Sequence, residues 1–555
     1  MIATAGAAAA AGVAASGVRA QPTDGAFDYG FPYSSQRMPV LARNCVATSQ
    51  PLAAQAGLEM LRKGGNAIDA AVATAAALTV VEPCSNGIGS DNFALIWTKG
   101  KLHGLNASGR APRALKRERY DGMDSIPLYG WDAVTTPGAV SGWAAALEDH
   151  GTLPMTTVLE PAIRYAREGY LVSPQVGQSW ELSARRYQGD AEFDAWQQTF
   201  CPNGRAPRIG ELWRSEDHAR TLEQIAQTKG AAFYQGELAE RIDAEARKFG
   251  GELRQEDLAA HAPDWVEPIA IDYHGVRLHE IPPNGQGIAA LMMLGILRHF
   301  DMASLPPDSV ESLHLQIEAM KLAFRDAHRY VADPAYMDRS VESLLDADYL
   351  KSRAALIDRS KAIDFKHGAP KEGGTVLLTT ADAQGNMVSW IQSNYTGFGS
   401  GMVIPGTGIA LHNRGGCFNL EPGHPNEIGP NKRPYHTIIP GFVTRNDEPL
   451  MTFGVMGGYM QPQGHAQVMT RLVDAKQNPQ AALDAPRWQI TEGLHVDFEP
   501  GFESATYDAL RAMGHDLAVQ STRNAYFGRG QAIYKLQDGY LAASDLRADG
   551  QAVGY

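Results

Sequence analysis

The sequence predicts an α+β protein in which helices pack on stacked β-sheets, and three observations lead there. Of its 555 residues 44% are apolar, enough for a substantial core, while 57 glycines and 32 prolines mark many tight turns without low complexity. The first two-thirds of the chain carries apolar residues at helical three- and four-residue spacing. From Thr375 the texture changes to short strand-like runs divided by turn signals. Length alone allows one large body or two to three ordinary domains.

Taken in order, Met1 to Ala20 is rich in Ala and Gly and ends Val-Arg-Ala before Gln21, which fits a signal-peptidase site. It lacks a positively charged first segment and its alanines are weakly hydrophobic. A flexible extension or an early start codon accounts for it as well, and the expected compartment is the cytoplasm rather than the periplasm or the exterior. Pro51 opens a helix that Gly64-Gly65 ends, and a second Ala-rich helix covers Asn66 to Thr79. SNGIGSDN superficially resembles a phosphate loop, but it follows a helix and lacks the GK[ST] ending. FALIW, TKGK and LHGL read as a hairpin.

Gly287 to Leu297 (GIAALMMLGIL) reads as a buried helix. Ser312 to Ala332 is the best helix of the middle region, with Leu313, Ile317, Met320 and Phe324 on one face and Asp333-Pro334 as its stop. Beyond Thr375, TVLLTTA, the turn DAQGN and MVSWIQS form a strand pair, followed by the Gly-rich run TGFGSGMVIPGTG. HTIIPGFVT and EPLMTFGVM read as strands flanking the turn RND, with a helix over His465 to Ala475.

Composition excludes several classes. A formal charge of −13 with no Lys/Arg block argues against a nucleic-acid partner. Cys45, Cys84, Cys201 and Cys417 lie far apart without CxxC spacing, and the 16 histidines include no HExxH pair, so no metal, cofactor or disulfide framework is expected. No run of eighteen apolar residues exists to span a membrane.

GGTVLLTTA, from Gly373 to Ala381, carries the chemistry. A threonine that becomes an amino terminus brings its own base, because an α-amino group titrates near ~7.7–8.0 and can take the hydroxyl proton directly or through one water. Two preceding glycines permit the strained backbone from which Thr375 Oγ could attack the Gly374 carbonyl. A Gly-Gly-Thr tripeptide is common, and taken alone it is better explained as a plain strand start.

The surrounding motifs add more. GGTVLLTTADAQGNMVSWIQSNYTGFGSGMVIPGTGIALHN, GPNKRPYHTIIP, FGVMGGYMQPQGHAQV and ALDAPRW resemble the small subunit of the γ-glutamyltransferase (γ-glutamyltranspeptidase) family. PLAAQAGLEMLRKGGNAIDAAVA, TTPGAVSGW, PPNGQGI and EAMKLAFRDAHRYVADP resemble its large subunit. The resemblance runs from about Tyr29 to Tyr555 and implies an N-terminal-nucleophile hydrolase fold, an αββα sandwich. It also implies a chain that cuts itself before Thr375, giving a large subunit over 29–374 and a small subunit over 375–555 after an extension or signal segment at 1–28.

By the same resemblance Thr375 is the nucleophile, Ser393 stands for the family's second threonine that hydrogen-bonds it, and Gly457 and Gly458 supply the oxyanion-hole N–H groups. The γ-glutamyl pocket departs from the pattern. The family's carboxylate-gripping arginine falls on Ser108, with Arg110 two residues on, and its ammonium-binding acid falls on Cys417. Its asparagine falls on Tyr395 beside Asn394, its glutamine or glutamate on Arg414, and its serine pair on His436 and Thr437. A thiol cannot replace a carboxylate opposite an ammonium, whereas Arg414 and Arg110 are cationic forks suited to a carboxylate. Either arginine could instead be held in a structural ion pair. The short segment Asn419 to Ile428 suggests an open cleft.

The expected activity is γ-glutamyl hydrolysis or transfer, on glutathione and related amides with an amino acid or peptide as acceptor. The alternatives are a non-glutamyl acylase or amidase acting on glutaryl- or oxamate-type amides, and a non-catalytic binding protein of the same fold.

Overall fold

The computed structural model describes residues 36–366 and 374–555. The extension-or-signal reading of the first 28 residues and the glycine at 373 lie outside them. Two antiparallel seven-stranded sheets stack face to face. One runs, edge to edge, Val40–Ala42, Tyr540–Ser544, Arg529–Lys535, Glu448–Met456, Gly441–Arg445, Val276–Glu280, Ile269–Tyr273. The other runs Gln551–Gly554, Cys45–Thr48, Gly374–Ala381, Met387–Tyr395, Asp91–Thr98, Lys101–Asn106, Asp264–Val266.

Leu95, Leu377, Ile391, Phe442 and Ile533 fill the space between the sheets. The outer faces carry helices. Pro51–Arg62 and Ala67–Val81 cover the second sheet, and Gly287–Leu297 with Met460–Val473 covers the first. The layers are thus helix, sheet, sheet, helix, as the αββα expectation requires.

Local chemistry explains most boundaries. Asn66 caps the second helix in a capping box with Asp69, so that helix starts at Ala67, and it continues to Val81 with every residue buried. Asp382, in the turn after Gly374–Ala381, accepts from Ala67 N–H and from Asn386, tying helix to hairpin. The apolar helix Gly287–Leu297 has the predicted bounds and is buried all round. Val310–Tyr330 begins at a Ser309 cap, two residues before the expected start.

Two expectations need correction. HTIIP is not a continuous strand: the sheet ladder holds only Gly441–Arg445, since Pro440 offers no N–H, and before it His436 makes a lone bridge with Gly285. The helix expected over His465 to Ala475 begins at Met460, because Pro462 in the first turn needs no hydrogen-bond partner for its nitrogen. The four cysteines are buried free thiols. Among the described residues no helix is long and apolar enough to cross a membrane.

Candidate active site

Thr375 is the second residue of the strand Gly374–Ala381, at the point where its pairing with Met387–Tyr395 slips. Gly374 faces Tyr395 and Val376 faces Gln392, so Thr375 alone stands opposite Ser393 and Asn394, a bulge in the partner strand that breaks the regular pleat there. Its Oγ lies 3.0 Å from Ser393 Oγ. Ser393 also donates to the Gly374 carbonyl at 2.7 Å and accepts from Tyr395 N–H at 2.8 Å. Tyr395 adopts φ of 77°, the left-handed region that a bulky residue rarely occupies. That turn of the backbone brings its N–H back onto Ser393.

Arg414 completes the cluster. One guanidinium nitrogen donates to Ser393 Oγ at 3.0 Å, and the other donates to Thr437 Oγ1 at 2.8 Å and faces Cys417 Sγ at 3.7 Å. The group lies over the Tyr395 ring, 4.7 Å from its centre. Arg414 is fully buried, its Nε has no partner, and it makes no ion pair with a carboxylate among the described residues. Burial pushes the Cys417 thiol up, and Arg414 only partly offsets this, so the position carries a neutral thiol.

Gly457 and Gly458 have φ of 138° and 56°, a sharp turn between the strand Glu448–Met456 and the helix Met460–Val473. Gln286 links this turn to the cluster, donating to the carbonyls of Thr437 at 2.6 Å and Gly458 at 3.0 Å. Ser108 is fully buried. Its hydroxyl donates to Asn106 and accepts from Asn284, which also donates to the Pro434 carbonyl.

Three expected pocket residues point elsewhere. Arg110 is paired with Asp333 at 2.7 Å and partly exposed, so its charge is already matched outside the cluster. Asn394 turns to the 85–92 segment, accepting from Ser90 Oγ at 2.7 Å. His436 pairs with Asp91 at 3.2 Å and packs on Phe93. The short segment expected to open the cleft is packed down instead. Asn426 donates to the Cys417 carbonyl, and Phe418 and Ile428 join Ala111, Leu115, Tyr120 and Ile126 in a small core of their own.

Sequence reading passed over Asp91, His412, Asn284 and Gln286. Asp91 lies directly across from Ser393 in the sheet and sits between His412 and His436, all three fully buried. Burial alone would raise its carboxyl, but the two histidines hold it far below the usual carboxylate range. His436 is pushed down to about 3 by burial and by Arg414, so it stays neutral at ordinary pH. The available signals were the Asp within a glycine-rich loop and the polar pair inside PPNGQGI.

Two stacked antiparallel sheets between helix layers, with a buried Thr–Ser pair at the start of a central strand, define the class as the N-terminal-nucleophile hydrolases. Residues 53–555 match the family model described as gamma-glutamyltranspeptidase, and the chain belongs to that family. It is similar to the glutathione hydrolase-like YwrD proenzyme of Bacillus subtilis, at 37% identity over 92% of this chain and 98% of that one. It is also 36% identical to the oxamate amidohydrolase proenzyme of Klebsiella pneumoniae, over 91% and 97% of the two chains. Among solved structures, cephalosporin acylase from Bacillus halodurans superposes with a TM-score of 0.92 at 53% identity, covering 96% of this chain and 99% of that one. The protein is therefore an enzyme, and the non-catalytic reading falls away.

Proposed function

We propose that the protein is a self-cleaving amidohydrolase with Thr375 as its nucleophile, acting on amides whose acyl group carries a second carboxylate but no neighbouring ammonium. In the precursor Thr375 Oγ attacks the Gly374 carbonyl carbon and the C–N bond breaks. The hydroxyl proton ends on the freed amine, and water opens the resulting ester. In the processed enzyme the same oxygen attacks a substrate amide with its own α-amino group as base. N–H groups at Gly457 and Gly458 stabilise the oxyanion, the amine leaves protonated, and water resolves the acyl-enzyme.

The observation that carries the substrate class is Arg414, a buried guanidinium beside Thr375 and Ser393 with no carboxylate partner among the described residues. A buried charge calls for a counter-ion, and a substrate carboxylate supplies one. Cys417, where an ammonium would need an acid, is neutral. The relatives named for oxamate amidohydrolase and cephalosporin acylase support this reading, beside others named for glutathione hydrolysis.

The test pairs a denaturing gel with terminal mass analysis. The unaltered chain should give two fragments with Thr375 at the new amino terminus, while Thr375→Ala should remain whole. Equal cleavage of both proteins would overturn the nucleophile assignment. On the processed enzyme, glutaryl- and oxamyl-amides should be hydrolysed and γ-glutamyl-p-nitroanilide should not. Strong, saturable γ-glutamyl release would restore the glutathione-type activity instead.

A further inference from the structure

Ser393 Oγ has four polar neighbours: the Gly374 carbonyl oxygen at 2.7 Å, Tyr395 N–H at 2.8 Å, Thr375 Oγ at 3.0 Å and an Arg414 guanidinium nitrogen at 3.0 Å. A hydroxyl has one proton and two lone pairs. Tyr395 N–H and Arg414 can only donate, so they fill both lone pairs. The Ser393 proton is left for the Gly374 carbonyl, a pure acceptor and the shortest of the four contacts. That carbonyl belongs to the bond before Thr375.

We propose that Arg414 is a positioning residue of self-cleavage, acting through Ser393 on the Gly374 carbonyl. The inference rests on the reading that Thr375 opens the Gly374–Thr375 bond. As the Thr375 Oγ–C bond forms, the carbonyl electron pair moves onto the Gly374 oxygen, where the Ser393 proton receives it. Donation from a fixed cation makes Ser393 a stronger donor, because hydrogen bonds in a chain polarise one another. Collapse expels the Thr375 nitrogen, which takes the proton lost from Oγ, and water then releases Gly374 as a carboxylic acid. Once the carbonyl has gone, the same guanidinium faces the substrate pocket. One residue thus serves maturation first and recognition afterwards.

The test times cleavage of newly made, pulse-labelled full-length chain during cell-free synthesis, with the cut site verified by terminal mass. Arg414→Gln should slow cleavage at least tenfold, and Arg414→Lys should restore much of the rate. In a Ser393→Ala background, already slow, Arg414→Gln should add less than about twofold. A loss caused by general disruption would multiply undiminished. Melting of each variant in an uncleavable Thr375→Ala background checks folding. If the glutamine variant does not fold, the lysine variant with and without Ser393 carries the same comparison. Wild-type rate in Arg414→Gln, or independent multiplication of the two defects, overturns the relay while leaving Thr375 as the nucleophile. Absence of a cut before Thr375 in the unaltered chain overturns both readings.

Discussion

At the scale of single residues, the site turns on the Arg414 guanidinium, which has lost its exposure without gaining a carboxylate partner among the described residues. Removing a charge from water costs several kcal/mol, and Thr437, Ser393, Cys417 and the Tyr395 ring give Arg414 only neutral partners. A carboxylate placed at Cys417, 3.7 Å from the guanidinium, would form an ion pair and repel an incoming acyl carboxylate. Cys417→Asp should therefore raise KM for glutaryl-type donors at least tenfold, about 1.4 kcal/mol, with a smaller change in kcat. Steady-state kinetics on the processed enzyme reads this, and an unchanged KM would remove Arg414 as the counter-ion. Tyr395 shows the backbone cost of the same arrangement. A non-glycine residue at φ 77° stores about 1–3 kcal/mol, held there by the N–H bond to Ser393 and by the stacked guanidinium.

At the scale of elements, the pocket is a meeting of segments that the chain keeps far apart. Asp91 opens the strand Asp91–Thr98, accepts from Gly138 N–H at 3.0 Å and pairs with His412 and His436. Each histidine then accepts, through Nδ1, from the backbone N–H two residues on, Arg414 and Ile438 respectively. The carboxylate thus sets the tautomer of the His436 ring, and its approach to His412 Nε2 at 3.4 Å holds both loops, those that carry Arg414 and Thr437, against one strand. Asp91→Asn keeps the shape but loses the charge. It should lower unfolding free energy by about 2 kcal/mol and kcat/KM at least tenfold, read by denaturant titration of the Thr375→Ala chain and by steady-state assay. No change in either would show that the carboxylate does not set these loops. This network was the least legible part of the sequence, because polar contacts among residues 91, 138, 412 and 436 leave no periodic trace. Helices with an apolar face or a cap, such as Pro51–Arg62 and Val310–Tyr330, and the hairpin after Thr375 were legible, since local spacing and turn residues encode them. Thr375, Ser393, Arg414 and Cys417 were legible only through several motifs in order. Arg110 misled because a residue type says nothing of its partner, which is Asp333.

At the scale of the whole molecule, the cut proposed before Thr375 does not divide the protein into two bodies. In the sheet that holds Thr375, strands from the two sides of the cut alternate: Gln551–Gly554, then Cys45–Thr48, then Gly374–Ala381 and Met387–Tyr395, then Asp91–Thr98. In the facing sheet Val40–Ala42 pairs with Tyr540–Ser544 at one edge, and Gly441–Arg445 with Val276–Glu280 further in. The core between the sheets draws Phe93, Leu95 and Ile281 from the first piece, and Leu377, Ile391 and Phe442 from the second. Partly and fully buried polar links cross as well: Arg529 pairs with Glu82 at 2.9 Å, and Arg433 donates to the Ser108 carbonyl at 3.0 Å. Separating the pieces would expose sheet edges on both sides and open a shared apolar core, which amounts to unfolding. The processed protein should therefore elute as one particle of the same size as the Thr375→Ala chain, with both fragments in the peak, and should come apart only at the denaturant concentration that unfolds it. Residues 375–555 expressed alone should not give a cooperative unfolding transition, because Gly374–Ala381 would lack its Cys45–Thr48 neighbour and Met387–Tyr395 would lack Asp91–Thr98. Size-exclusion chromatography across a urea series, with gels of each fraction, decides the matter. Fragments that part while each keeps its own transition would show two independent domains instead of one interleaved sandwich.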